Sequence, residues 1–442
     1  MTAPAWIQHA IWWQVYPLGF VGAFPAPQSS EPPQPGEHRL RRLVDWFEHA
    51  IELGASGVAL GPIFASRTHG YDTTDHYRID PRLGDEADFD YLVAEAHRRG
   101  LRILLDGVFN HVGADFLRYR EASNNDAAAR WFRGRPGRYP TGFDTFEGHS
   151  ELITLNHDNP DVVDYTVDVM AHWLGRGADG WRLDAAYTVP QQFWASTLPR
   201  VRELYPDAWF VGELIHGDYA AVVQAATFDS ATQYELWKAI WSSLNDGNFF
   251  ELDWAVQRNN EFQASFAPLT FIGNHDVTRI ASQLKHPEHL AHALVILLTV
   301  GGVPSVYAGD ELGFRGVKEE RYGGDDAVRP EFGSPPIPLD TFGAQVWALH
   351  QYLVGLRRRH PWLHTASTTA LRLDNRRYVY ETRSGDNALL VALNIDDEPL
   401  HLVLSEVGTP HAQVIGGSAA PPQEVVDTVV VEAHGWRILS AG

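Results

Sequence analysis

The stretch Gly180-Trp181-Arg182-Leu183-Asp184 has the residue types of a chemical site. It reads as a short buried strand that stops at an acid. Side chains alternate along a strand, so Arg182 and Asp184 point to one side and Trp181 and Leu183 to the other. A permanent cation then sits beside a carboxylate, favours its ionised form and lowers its pKa. An ionised carboxylate held in place is what a covalent nucleophile requires. An Arg–Asp pair inside a core has the same pattern, so this stretch alone leaves a structural role open.

Two more carboxylates decide between those readings. Glu213 closes the apolar run Trp209-Phe210-Val211-Gly212, and Asp276 follows Leu269-Thr270-Phe271-Ile272-Gly273-Asn274-His275. Two acids about 5 Å apart suit a retaining glycosidase. One attacks the anomeric carbon; the other protonates the leaving oxygen and later activates water. A third carboxylate adds negative charge around the oxocarbenium-like transition state. The apolar approach to Glu213 predicts a raised pKa, fit for the acid.

Strands interleaved with helices must carry these residues. Strand-like runs occur at Ile11–Tyr16, Val58–Leu60, Arg102–Asp106, Gly180–Asp184 and Trp209–Glu213. The run Ala226-Thr227-Phe228-Asp229 is the sixth and weakest, and Leu269–Gly273 and Val303–Tyr307 complete the set. Leu40, Leu43, Phe47 and Ile51 recur at helical spacing ahead of Gly54, and similar patterns separate the other strands. Eight strands in this rhythm predict an α/β fold, a (β/α)8 TIM barrel, with its chemistry at the C-terminal strand ends. The three acids are expected to converge at that mouth.

Interruptions mark the remaining organisation. A Pro-rich loop runs through Pro25, Pro27, Pro32, Pro33 and Pro35, and Thr68–Tyr77 reads as a polar aromatic loop. The β/α rhythm breaks in 112–156, read as a small inserted domain after strand three that includes Trp131, Phe132, Tyr139 and Phe143. Residues 1–111 and 157–363 make the barrel. From 364 to 442 helices give way to strand patterns, an antiparallel β-sandwich domain.

Composition excludes several classes. The net charge of -21 argues against nucleic acid and anionic membranes as partners. With no Cys, disulfides and thiolate catalysis are ruled out. No signal peptide is read at the start and no apolar run is long enough to span a membrane, which suits a cytoplasmic protein.

Four ordered motifs carry a family resemblance. They are Asp106-Gly-Val-Phe-Asn-His111, Gly180-Trp-Arg-Leu-Asp184, Val211-Gly-Glu213 and Asn274-His-Asp276. Together they resemble the α-amylase family of glycoside hydrolases. The resemblance implies Asp184 as nucleophile, Glu213 as general acid/base and Asp276 as transition-state stabiliser, with Arg182 orienting Asp184. His111 and His275 would hydrogen-bond the hydroxyls of the sugar being cleaved, and Tyr71 would stack on it. Asp325 and Arg329 resemble a pair that binds the next sugar, although Asp326 is an equal candidate partner for Arg329. Tyr187 falls where relatives contact leaving-group sugars. Asp106 and Asn110 read as structural supports.

Tyr71-Asp-Thr-Thr-Asp75, Ile79-Asp-Pro-Arg-Leu-Gly84, Phe109-Asn-His-Val-Gly113, Gly212-Glu-Leu-Ile-His216 and Phe228-Asp-Ser230 resemble the cyclomaltodextrinase and neopullulanase branch. That branch implies hydrolysis, mainly of α-1,4 bonds, in short or cyclic malto-oligosaccharides. Its usual N-terminal β-domain is not found ahead of residue 11, which puts the usual homodimer in doubt. Its absence also points to a specialised substrate such as cyclic maltosyl-maltose. Phe249, Phe250 and Trp254 are candidate sugar platforms, with helix packing as the alternative. Asn110 matches one calcium-ligand position of the family, but no Asp/Asn-rich calcium loop accompanies it, so no metal or other cofactor is expected. An exo-acting α-glucosidase or a transglycosylase is the rival within the family, and a non-catalytic sugar-binding relative the rival outside it.

Overall fold

The computed structural model describes residues 3–23, 37–134, 142–321, 323–409, 412–418 and 425–441. The Pro-rich loop from Pro25 to Pro35 and the aromatic Tyr139 lie outside them. Eight parallel strands carry the fold: β1 (Trp12–Val15), β2 (Gly57–Leu60), β3 (Arg102–Gly107), β4 (Gly180–Leu183), β5 (Trp209–Gly212), β6 (Ser230–Ala231), β7 (Leu269–Phe271) and β8 (Val303–Tyr307). Their order along the sheet is β6-β5-β4-β3-β2-β1-β8-β7. This is the (β/α)8 barrel, followed by a C-terminal antiparallel domain. Two compact units divide the chain, one built mainly from 12–232 and 319–338, the other from 233–318 and 339–442.

In the first unit, β1 to β6 pair in parallel register. Val58 lies opposite Ile103, Leu104 opposite Gly180, and Leu183 opposite Gly212. Helices return the chain between strands. Glu86–Arg98 starts at a capping box in which Asp85 and Asp88 satisfy each other's backbone N–H groups. Pro160–Gly175 starts with Asn159 as cap and Pro160 at the first position, where a missing N–H costs nothing. Trp12 of β1 stacks on Trp209 of β5, ring centroids 5.8 Å apart. Trp181 of β4 is fully buried against Phe64 and Phe109.

Three sequence readings need correction here. The weak sixth strand is Ser230–Ala231, because the preceding helix runs on to Ala226 and Thr227 turns it with φ 61°. Residues 39–46 form a 3-10 helix before the α-helix Phe47–Leu53, and Ile51 faces solvent while Ala50 and Leu53 are buried. The polar loop around Tyr71 runs into a strand, Thr73–Ile79, in a hairpin with Phe64–Ser66. The buried positions along it are Thr73, His76 and Ile79, two of them polar, so no apolar alternation marks the strand in the sequence.

Residues 112–134 and 142–156 form a small elaboration on β3. Helices Leu117–Glu121 and Asp126–Ala129 precede Leu152–Thr154, which pairs antiparallel with His111–Gly113.

The second unit holds a large core shared by its helices and the start of its antiparallel sheet. Leu236, Ile240, Phe249, Leu252, Leu294, Leu353, Tyr378 and Val391 are among its buried members. The helix Leu290–Thr299 is buried along nearly its whole length, which explains its continuous apolar run. Buried Arg357 donates to the carbonyls of Leu298, Val300 and Gly302, and burial pulls its pKa down to about 9. Phe249 packs on Tyr378, as helix packing required, whereas Phe250 and Trp254 are exposed. Beyond residue 366, a six-stranded antiparallel sheet and a two-stranded one share a separate core including Val379, Leu390, Leu402 and Val429. No helix among the described residues is long and apolar enough to cross a membrane.

Gly180 shows how tightly the strands that carry the acids are set. A Cβ built there would lie 2.2 Å from the backbone oxygen of Trp209, which cannot move without breaking β5. Gly180→Ala is expected to destabilise the protein by about 1–3 kcal/mol, the usual cost of overpacking. Urea unfolding of the two proteins measures it.

Candidate active site

Arg182 occupies the centre of the first unit's polar cluster. Its Nη1 donates to both carboxylate oxygens of Asp106, each at 2.8 Å, and to Oδ1 of Asp184 at 3.0 Å. Its Nη2 meets Oε1 of Glu213 at 2.5 Å. All four side chains are buried. The strands explain the convergence. Asp106 lies opposite Arg182 on β3, and Asp184 and Glu213 follow the Leu183–Gly212 pair on β4 and β5. Sheet hydrogen bonds continue past the strand ends, from Asp184 N–H to the Gly107 carbonyl and from Glu213 N–H to that of Leu183.

A single guanidinium thus serves three acids. Burial opposes its charge, but Asp106, Glu213, Tyr71 and Asp184 outweigh burial and hold its pKa well above the ordinary value. Asp106 moves the other way: burial pushes its carboxyl up to about 6, in spite of Arg182. Arg182 touches Asp184, as side-chain alternation along the strand predicts, and the same cation is bonded to Glu213.

The residue after Asp184 contributes through its backbone. Ala185 has φ 45° and ψ 33°, a left-handed conformation that costs a non-glycine residue roughly 1–3 kcal/mol. Its N–H donates to Oε2 of Glu213 at 2.9 Å. Sequence carried no sign of this, because alanine is not a residue expected there. Tyr187 sits on the same turn. Its N–H donates to the Glu213 carbonyl at 3.1 Å and its hydroxyl to Oε1 of Glu147 at 2.7 Å. Glu147 belongs to the elaboration on β3, has φ 49°, and was not singled out from sequence.

Tyr71 and His111 lie close to this cluster. The Tyr71 hydroxyl donates to Asp106 at 3.1 Å. His111 donates from Nε2 to the Tyr71 carbonyl at 3.0 Å, and its Nδ1 accepts from the Asn110 amide at 3.0 Å. Burial lowers its pKa to about 3, so the ring is neutral. Its expected bond to a sugar hydroxyl therefore requires sharing one of those partners. Asn110 is buried and its amide donates to His111.

Arg329 pairs with Asp325 at 3.0 Å, which decides the partner that sequence left open. The guanidinium also lies 4.6 Å over the Tyr16 ring, and the Tyr16 hydroxyl donates to the His69 carbonyl.

In the second unit, the turn after β7 holds the remaining two residues. The Asp276 N–H donates to Oδ1 of Asn274 at 2.8 Å, and the Asn274 amide reaches the Tyr234 hydroxyl. His275 is buried, with Nε2 at 3.1 Å from Oδ2 of Asp276, whose side chain is 30% exposed.

Residues 39–370 match the family model "Alpha amylase, catalytic domain". The chain belongs to the alpha-amylase family. It is therefore a glycoside hydrolase by family. It is 29% identical over 423 residues to a cyclomaltodextrinase of Geobacillus thermopakistaniensis, covering 90% of this chain and 70% of that one. It is 32% identical over 350 residues to neopullulanase 2 of Thermoactinomyces vulgaris, covering 72% of this chain and 59% of the relative. Among solved structures, the ligand-free cyclic α-maltosyl-(1→6)-maltose hydrolase of Arthrobacter globiformis matches with a TM-score of 0.82 at 26% identity. The match covers 99% of this chain and all of that one.

The raised pKa of Asp106 has a testable sign. An unfolded Asp titrates near its ordinary value, so between there and about pH 6 the folded protein holds the extra proton. Asp106 therefore contributes stability that is full at low pH and lost as pH rises through about 6. Urea unfolding of Asp106→Asn from pH 4 to 7 is expected to lack that part of the slope.

Proposed function

We propose that this protein hydrolyses α-1,4-glucosidic bonds of short or cyclic malto-oligosaccharides by a double displacement. Asp184 attacks the anomeric carbon while Glu213 gives a proton to the departing oxygen. Glu213 then takes a proton from water, which displaces Asp184 from the sugar. Asp276, by family resemblance, supplies negative charge to the oxocarbenium-like transition state, and His275 and Tyr71 hold the sugar. Asp325 and Arg329 receive the next sugar, and Tyr187 faces the leaving group.

The register of β4 and β5 carries this reading. Asp184 and Glu213 are the next residues after a paired Leu183 and Gly212. Neighbouring strands lie about 4.8 Å apart, and a retaining pair of carboxyls needs about 5 Å. Arg182 gives both acids a common anchor. When Glu213 loses its proton, the new anion is met by Arg182 and the Ala185 N–H without any rearrangement. That fixed reception lowers the barrier to proton donation, and Asp184 is oriented for attack by the same cation.

The full-length match to the Arthrobacter hydrolase favours a ring of maltose units, cyclic maltosyl-maltose, over long glucans. A cytoplasmic location fits one relative named as an intracellular maltogenic amylase of Bacillus subtilis, 29% identical over 338 residues.

Asp184→Asn is expected to lower kcat by roughly four orders of magnitude or more, as removal of a nucleophile does. Oligosaccharide binding by calorimetry should persist. Turnover near the wild-type rate would overturn the assignment of Asp184. Product sizing separates substrates: cyclic maltosyl-maltose and cyclodextrins should be opened within the ring and yield maltose-sized products. Release of glucose alone from the ends of linear chains would point to the exo-acting reading instead.

A further inference from the structure

Four histidines gather in the second unit, away from any residue given a role above. His286 and His289 precede the buried helix Leu290–Thr299, His292 lies in its first turn, and His434 sits in the turn before the strand Trp436–Ala441. The His289 and His434 rings are 5.3 Å apart between centroids, and His289 Nε2 is 3.0 Å from His434 Nδ1. Glu288 completes the group. One ligand atom each from Glu288, His289 and His434 all lie within 4.8 Å of one another.

His289 Nε2 and His434 Nδ1 share a hydrogen bond, whose place a cation between the two rings would take. His434 Nε2–H donates to the Asp397 carboxylate at 3.1 Å, which leaves Nδ1 as a lone pair facing His289. A carboxylate behind a histidine fixes the tautomer and raises the basicity of the other nitrogen, the usual support of a metal ligand. His289 is 3% exposed, and its Nδ1 is buried with no hydrogen-bond partner. His434 adopts φ 52°, in the left-handed region where histidine is enriched among non-glycine residues.

We propose that Glu288, His289 and His434 form a binding site for a divalent transition metal, with zinc the best match. Imidazole nitrogens and one carboxylate are a zinc donor set, and three protein ligands leave a fourth tetrahedral position for water. The metal would join the start of helix Leu290–Thr299 to the turn at 432–435, two segments far apart in sequence. Its role is to stabilise the native chain by binding it and not the unfolded one.

Zinc chloride titrated calorimetrically into the EDTA-treated full-length protein is the test. One saturable equivalent is expected, with a rise in Tm that EDTA reverses and no change in oligosaccharide hydrolysis. His434→Asn, chosen because asparagine tolerates the left-handed backbone, should abolish the uptake. Asp397→Asn should weaken it about tenfold. If His434→Asn does not fold, Glu288→Ala, at an exposed position, takes its place and should weaken uptake likewise. Absence of saturable binding to the wild type overturns the proposal, and so does undiminished binding by the folded variants, which would put zinc elsewhere.

Discussion

The contact on which the rest of the first unit depends is the sharing of one guanidinium by Asp106, Asp184 and Glu213. Burying three carboxylates without a cation would cost far more than their packing returns. Arginine answers this because its fork presents several N–H groups in fixed directions, whereas lysine offers a point charge on a flexible stem. The arrangement also requires strand register to hold within a fraction of a residue. β3, β4 and β5 each place one member, and slipping any strand by one residue would turn its side chain to the opposite face.

The surroundings are built to keep that register. Gly180 allows β4 and β5 to approach where any side chain would collide with the Trp209 carbonyl. Trp181 on the opposite face of β4 is wholly buried, so rotation of the strand would expose a large apolar ring. Asp106 is bonded to Arg182 through both carboxylate oxygens. The Tyr71 hydroxyl bonded to it links the hairpin loop to the same cluster.

Sequence disclosed the strands that end in acids because each is a local apolar run closed by a carboxylate, and three such runs recur in one β/α rhythm. Arg182, Asp184 and Glu213 were legible for that reason, as was the change to antiparallel strands near residue 364. Less visible were features set by long-range geometry. The strained Ala185, its N–H on Glu213, and Glu147 under Tyr187 depend on where the chain returns, not on residue type. The sixth strand was misplaced because it is only two residues long and its helix runs up to Thr227. The histidines around His289 could not be read as a group, since His434 is 145 positions away.

Tyr187 links the turn after β4 to the elaboration on β3. Its amide is bonded to the Glu213 carbonyl and its hydroxyl to Glu147, in a segment outside the strand and helix scaffold. Through that single aromatic lever, a shortened or lengthened insertion would tug on the main chain at residue 213. Evolutionary drift in the insertion is therefore not silent, and grafting a relative's insertion onto this barrel would have to carry a matching acceptor for the phenol.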